Sequence, residues 1–256
     1  MSDYYDLKSI LCREVFYGKG YCSTGGEEVS KILTDYLQKK DGLSVLDVGS
    51  GPGGFAFYVA QNLKASVIGI DISENMVRLA QERLASVDTG IAEKVKFQLS
   101  NVETVEFPAE GFDAVFWRSS LLHIPISRKE GVLKRMMKWL KPGGQFISMD
   151  HCLDGKVDDV EGFQKYLDLL GVEYLNVESY KKLLETVGLK EIFVKEDNAF
   201  YMRKTAEELA SAEKAKSEIL KLVPQETYQA QQDYWVDKRK WTEVGAMNHV
   251  YFVAHK

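Results

Sequence analysis

The sequence predicts an α/β fold, a doubly wound and mostly parallel sheet with helical insertions over one end. Three observations carry that prediction. Short, nearly continuous apolar runs recur along the first 150 residues, as expected of strands buried on both faces. Stretches with helical spacing separate these runs, the alternation that builds parallel sheets. The first run also ends in a glycine cluster that opens a helix, SVLDV followed by GSGPGG.

The elements follow in order. Residues 44–48 (SVLDV) form the first strand and 55–64 the first helix of the core. Residues 66–70 (SVIGI) form a second strand, and 75–85 form a helix with Ser73 or Asp71 available to cap it. Residues 95–99 and 112–117 (FDAVFW) are strands three and four. An amphipathic helix over 126–140 is stopped by Lys141-Pro142-Gly143-Gly144, and 145–149 (QFISM) is the fifth strand. Beyond it, 155–170 and 177–188 look helical, 190–195 (KEIFVK) is a strand, 205–222 is a polar helix and 250–254 (VYFVA) is the last strand. Helical material after the fifth strand lies over the carboxyl ends of the strands, where open α/β sheets bind ligands. The expected organisation is therefore one domain over 1–256. A helical lid spans 1–43, the core 44–150, cap helices with one core strand 151–240, and the terminal strand 247–254.

Composition narrows the function. Of 256 residues 45% are hydrophobic and 28% charged, values suited to a globular core. The net charge of −5 offers no general attraction to nucleic acid, so the expected partner is a small molecule. No apolar run reaches the ~20 residues of a membrane helix, and the first residues lack a basic, then apolar, leader pattern. Three cysteines (Cys12, Cys22, Cys152) form no CxxC pair, so neither a disulfide framework nor a zinc site is expected. A cytoplasmic monomer without a metal is the resulting expectation.

The segment Val45-Leu46-Asp47-Val48-Gly49-Ser50-Gly51-Pro52-Gly53-Gly54 is the most informative. By spacing it satisfies the dinucleotide fingerprint GxGxxG. Pro52, however, removes an N–H that would cradle a pyrophosphate, and Asp47 lies inside the strand, placed to bond a ligand's amine. An acidic residue in that strand followed by GxGxGG is the S-adenosylmethionine signature, with Asp71 as the carboxylate for the ribose hydroxyls. His151 and Cys152 are adjacent on an extended chain and point to opposite sides, which excludes a Cys–His nucleophile pair.

The segments EVFYGKGYCSTGG, VLDVGSGPGG, GIDIS, WRSSLLHI and KWLKPGG, with Trp235-x-x-Lys238 before the last strand, resemble the phosphoethanolamine N-methyltransferases. That resemblance implies a Rossmann-like class I methyltransferase fold of seven strands, S-adenosylmethionine as cofactor, and methylation of a primary amine toward phosphocholine. It implies a catalytic pair, Tyr5 and His123. Cofactor contacts carry over to Cys22, Ser23, Asp47, Gly49, Gly51, Asp71, Ile72, Asn101, Val102 and Arg118. Substrate contacts carry over to Tyr4, Ser119, His151, Tyr166 and Lys238. The chain departs from the family at four places. Ser119 replaces an aspartate near the substrate amine, and His151 replaces a phosphate-binding tyrosine. Asn101 stands where an aspartate is usual. Leu170-Gly171-Val172 replaces an Arg-x-Tyr that grips the phosphate, and leucine cannot take arginine's bidentate role. A small unphosphorylated acceptor, or a cofactor-binding paralogue without activity, therefore stays open beside the phosphorylated amine.

Overall fold

A computed structural model describes residues 5–153 and 162–256. Their sheet has seven strands in the order β3-β2-β1-β4-β5-β7-β6. The strands are β1 (Ser44–Val48), β2 (Ser66–Asp71), β3 (Val95–Leu99), β4 (Phe112–Arg118), β5 (Leu140–Leu153), β6 (Lys190–Glu196) and β7 (Met247–His255). The first five pair in parallel, and β7 runs antiparallel to both β5 and β6.

Alternation along the strands sorts side chains onto two faces. Val45, Val67, Ala114, Phe116 and Ile147 face one layer; Leu46, Val115, Trp117 and Phe146 face the other. The first layer holds α1 (Leu7–Tyr17), α2 (Gly26–Asp35), α3 (Gly54–Leu63) and α4 (Glu74–Leu84). The second is built from α6 (Ile126–Trp139) and α8 (Val177–Thr186), through Leu133, Met136, Tyr180 and Leu184. A single turn, α5 (Thr89–Ala92), leads into β3. Tyr180 stacks on Phe252 of β7 with ring centres 4.0 Å apart, so α8 covers the sheet instead of joining the cap expected of 151–240. Its apolar Tyr180 and Leu184 share one helical face and bury against the core, which decides its place.

Three other expectations change. The 126–140 helix ends at Trp139, and Leu140 already pairs with Phe112 as the start of a 14-residue β5. The polar helix expected at 205–222 begins earlier and breaks at Ala215, giving α9 (Asn198–Lys214) and α10 (Lys216–Leu222). Residues 225–243, left without an element by the sequence reading, form the longest helix, α11 (Gln225–Glu243). Its buried Tyr228, Trp235, Lys238 and Thr242 recur at helical spacing, a signal masked by the surrounding polar residues and the DKRK charge run. α7 (Phe163–Leu170), α9 and α11 meet in a small cluster that includes Phe163, Tyr201 and Trp241, while α9, α10 and α11 also join the first layer through Ala212, Ile219 and Trp235.

Ser73, not Asp71, caps α4, accepting from the Met76 N–H. That frees the Asp71 carboxylate for the loop described next. The strand order reverses beside β1, so the carboxyl ends of β1, β2 and β4 meet at the topological switch point, where this fold class places its ligand cleft.

Candidate active site

The cleft begins at the turn after β1. Gly49 has φ +70° and Gly51 φ +55°, backbone conformations that side-chain-bearing residues rarely adopt. A Cβ on Gly49 would meet the Ser120 hydroxyl at 2.3 Å, whereas one on Gly51 would project into open space. Gly51 thus keeps bare backbone facing the cleft. Its N–H donates to Asp71 Oδ2 (2.9 Å), and the Ser73 N–H donates to Oδ1 (2.8 Å). Burial raises the Asp71 pKa while these backbone donors oppose it. The carboxylate is thereby fixed in orientation, with lone pairs left for a ligand's hydroxyls.

Asp47 is buried and its Oδ2 has no hydrogen-bond partner among the described residues. Burial pushes its pKa up to about 7, opposed by the nearby Arg118 and reinforced by Asp71. An orphaned buried carboxylate is costly, and a ligand ammonium would remove the cost. Ile72 is 71% exposed at the end of β2, an apolar surface suited to one face of a flat ring. Asn101 Oδ1 accepts from the Glu103 N–H (2.8 Å), so one lone pair remains, and Val102 beside it is buried. An amino-acid ammonium, two ribose hydroxyls and a purine would match these groups in order along β1, β2 and β3, which is the layout that S-adenosylmethionine requires.

The lid closes the cleft by backbone contact. The Gly54 N–H donates to the Gly20 carbonyl (3.0 Å), and a Cβ on Gly20 would lie 2.7 Å from the Gly54 Cα. Arg118 donates to the carbonyls of Thr24 and Gly26 (both 3.0 Å) and of Ser23 (3.3 Å). Glu208 of α9 accepts from the Gly25 N–H (2.7 Å). Arg118, expected as a cofactor contact, donates to the lid backbone, and Ser23 meets it through its carbonyl. Cys22 is half-buried with its thiol pushed up to about 11 by burial, so it is a neutral packing group here.

Across the cleft stands the Tyr5–His123 pair. The Tyr5 hydroxyl lies 3.3 Å from His123 Nε2, and the rings meet edge to face at 6.3 Å. Tyr5 precedes α1, which Asp6 caps, and its carbonyl accepts from Asn75 Nδ2 (3.0 Å), tying the terminus to α4. His123 closes the 3-10 turn Leu121–His123 after β4. Surrounding protein lowers its pKa to about 4, with the Lys129 and Arg13 charges adding to the effect, so the ring is neutral near pH 7 and can accept from the phenol. The Arg13 guanidinium sits 5.5 Å from the Tyr5 ring centre. Ser119 adopts φ +49° at the end of β4, held by its N–H to the Met149 carbonyl (2.8 Å).

The far wall gathers His151, Lys238, Tyr201 and His249. Lys238 Nζ lies 3.2 Å from His151 Nε2, which must accept, leaving Nδ1 as the protonated nitrogen. That buried Nδ1 has no partner among the described residues, and neither has His249 Nδ1. The ammonium lies 5.0 Å from the Tyr234 ring centre and 5.8 Å from that of Tyr201. No carboxylate within 4.0 Å balances this buried cation among the described residues. Burial and the Lys238 charge hold His151 well below the usual range, so it is neutral. Sequence reasoning gave Tyr201 and His249 no role, because a tyrosine and a histidine in separate elements carry no local pattern. It also missed Arg13 and Lys129, which read as ordinary helix-surface cations. Trp117 packs in the core, and Val172 is buried in the cap cluster. Tyr4 and the side chains of Tyr166 and Leu170 lie outside the described residues. No group of three or more metal-ligating side chains occurs among the described residues, and no described helix is long and apolar enough to cross a membrane.

The family description "Methyltransferase domain" matches residues 45–144. Among curated proteins, a phosphoethanolamine N-methyltransferase of Triticum aestivum is 35% identical over 98% of this chain and 48% of its own length. One of Plasmodium falciparum is 28% identical over 98% of this chain and 93% of its own. The Haemonchus contortus phosphoethanolamine N-methyltransferase 2, solved with phosphomonomethylethanolamine and S-adenosylhomocysteine, superposes with TM-score 0.92. It is 25% identical and is matched over 99% of this chain and 58% of that one. The chain spans about half the length of the plant relatives it matches.

Proposed function

Because the chain carries a class I methyltransferase domain and is similar along nearly its whole length to phosphoethanolamine N-methyltransferases, we propose that it methylates a small amine with an anionic tail. Phosphoethanolamine and its mono- and dimethyl forms, on the way to phosphocholine, are the acceptors of first choice. The observation that carries the reading is the 3.3 Å Tyr5–His123 contact, together with an Asp47 Oδ2 that has no hydrogen-bond partner among the described residues.

S-adenosylmethionine supplies the electrophilic methyl group. Asp47 would hold its ammonium, Asp71 its ribose hydroxyls, and Gly49, Gly51, Ile72, Asn101 and Val102 the rest, with the lid residues Cys22 and Ser23 above. Methyl transfer is an in-line displacement, so alignment supplies much of the acceleration. The acceptor nitrogen must expose a lone pair, yet an alkylammonium is almost wholly protonated at neutral pH. The Tyr5 oxygen takes the ammonium proton as its own proton passes to His123 Nε2. Tyrosine alone, with a reference pKa of about 10, ionises too rarely for this task. The open edge of His123 then returns the proton to water. The Lys238 ammonium, which has no carboxylate within 4.0 Å among the described residues, and the His151 Nδ1–H receive the anionic tail, with Tyr166 and Tyr4 as further contacts and Ser119 near the amine. The protein is taken to be a cytoplasmic monomer, which gel filtration and cell fractionation test.

Val172 is buried among apolar side chains at the position where the resemblance implies a phosphate-gripping tyrosine, and this favours a second reading, a small unphosphorylated acceptor. Mass spectrometry separates the two. Protein and S-adenosylmethionine are incubated with phosphoethanolamine, its methylated forms and the matching unphosphorylated amines. Mass gain on the phosphorylated set alone supports the first reading. Gain only on free amines supports the second, and none on any acceptor, with cofactor bound, points to an inactive paralogue.

A further inference from the structure

Lys129 is the least expected charge in the molecule. It lies on the first turn of α6, where lysines are normally solvated, yet it is 1% exposed. Its ammonium makes no ion pair within 4.0 Å among the described residues. Instead Nζ donates to the Leu121 carbonyl (2.7 Å) and to the Ile124 carbonyl (2.5 Å). These two carbonyls bracket His123. The turn between them has only weak support of its own, His123 N–H to Ser120 (3.2 Å) and Ile124 N–H to Leu121 (3.0 Å).

A three-residue 3-10 turn is a loose platform for a proton-transferring ring, since its hydrogen bonds are poorly aligned. One cation bonded to the carbonyls on both sides fixes the peptide planes that set the direction of the His123 side chain. Charge-assisted bonds of this kind are about twice as strong as neutral ones. We propose that Lys129 is a positioning residue for the reaction, clamping the turn so that His123 Nε2 faces the Tyr5 hydroxyl. The proposal rests on the reading of Tyr5 and His123 as the proton-transferring pair.

The clamp has an electrostatic side. The charged or titratable groups facing His123 are Tyr5 before α1, Arg13 on α1 and Lys129 on α6. Those facing Lys129 are Asp150 of β5 and Glu173, which oppose the burial that lowers the lysine's own pKa to about 8. Glu173 braces the same platform, accepting from the Ile126 N–H (2.6 Å) while its own N–H donates to the Leu122 carbonyl (2.9 Å).

The test uses Lys129→Met and Lys129→Arg in the full chain, with His123→Ala in parallel. Titrating the His123 ring by NMR needs neither acceptor nor turnover. The proposal expects Lys129→Met to raise the His123 pKa by one unit or more. It also expects kcat to fall at least tenfold, KM and cofactor affinity to move less than threefold, and Lys129→Arg to recover most of the rate. An unchanged His123 titration and unchanged kcat in a folded Lys129→Met protein would overturn it. So would equal losses in cofactor affinity and kcat, which indicate general damage to the cleft. If Lys129→Met does not fold, Lys129→Arg decides: a retained kcat and low His123 pKa support the clamp, and a collapsed kcat with native cofactor affinity overturns it. His123→Ala with full turnover would instead remove the catalytic reading, whatever Lys129 does.

Discussion

The two ends of the cleft are built on different principles. At the cofactor end, Asp47, Gly49, Gly51, Asp71 and Ile72 lie within 26 consecutive positions, on two adjacent parallel strands and the turns that leave them. At the acceptor end, Tyr5 precedes α1, His123 follows β4, His151 lies on β5, Tyr201 on α9, Lys238 on α11 and His249 on β7. The first end is prepared by backbone geometry, and the second by two groups of side chains, Tyr5 with His123 and His151 with Lys238, Tyr201 and His249, drawn from six places in the chain. Substitution at the cofactor end thus meets constraints on φ and close approach. At the acceptor end the same backbone tolerates new side chains, consistent with Leu170-Gly171-Val172 standing where the resemblance implies an Arg-x-Tyr.

The largest effect expected lies at the acceptor end. Tyr5→Phe or His123→Ala should lower kcat by about 10²–10⁴-fold, the span of general acid–base catalysis, with cofactor affinity nearly unchanged by calorimetry. A parallel loss of affinity would erase the distinction between the two ends.

Next is Asp47→Asn, which should weaken S-adenosylhomocysteine binding by about 10–100-fold, the worth of a charge-assisted bond of roughly 1.5–3 kcal/mol. Its pH dependence has a definite sign. The free carboxyl has a pKa near 7, so it is largely protonated below that and ionised above. Affinity for a cationic ammonium should therefore tighten as pH rises from 6 to 8, and Asp47→Asn should flatten the curve. Stability of the free protein should run the other way. The raised native pKa means the folded state is favoured while Asp47 is protonated, and stability is lost as pH rises from about 4 through 7. At pH 8 Asp47→Asn should raise the thermal midpoint, by removing up to about 4 kcal/mol of cost.

A smaller effect is expected of Lys238→Ala. KM for a phosphorylated amine should rise by about 10-fold or more, while kcat for an unphosphorylated one stays put. Equal effects on both acceptors would remove the anion from the far wall. The smallest change in turnover is expected of Leu184→Ala in α8. It should destabilise the fold by about 2–5 kcal/mol yet leave KM unaltered, because Leu184 packs into the core cluster beneath the sheet.

The same contrast governs what was legible in the chain. The strands, their parallel order and the cofactor end follow from local patterns: apolar runs, a glycine turn and an acid at a strand end. Tyr5 and His123 were legible only through resemblance, since no pattern joins residues 118 positions apart. Arg118 illustrates the limit. The resemblance implied a cofactor contact for this last residue of β4, and the structure adds donation to three lid carbonyls, which no sequence pattern announces. Helix α11 was hidden because its buried positions include Lys238, which hydropathy scores as surface. Lys129 was hidden for the same reason.

The position of β7 carries a consequence for the order of folding. It enters between β5 and β6, antiparallel to both, and follows β6 by some fifty residues of mostly helical chain. Until it arrives, β5 is an open edge and β6 has no partner in the sheet. A chain caught before that step exposes two unpaired strands, the condition that invites edge-to-edge aggregation. Closure of this middle seam is a non-local event and therefore slow. Assembly of the far wall waits on it too, because His151 and His249 face one another across that pairing.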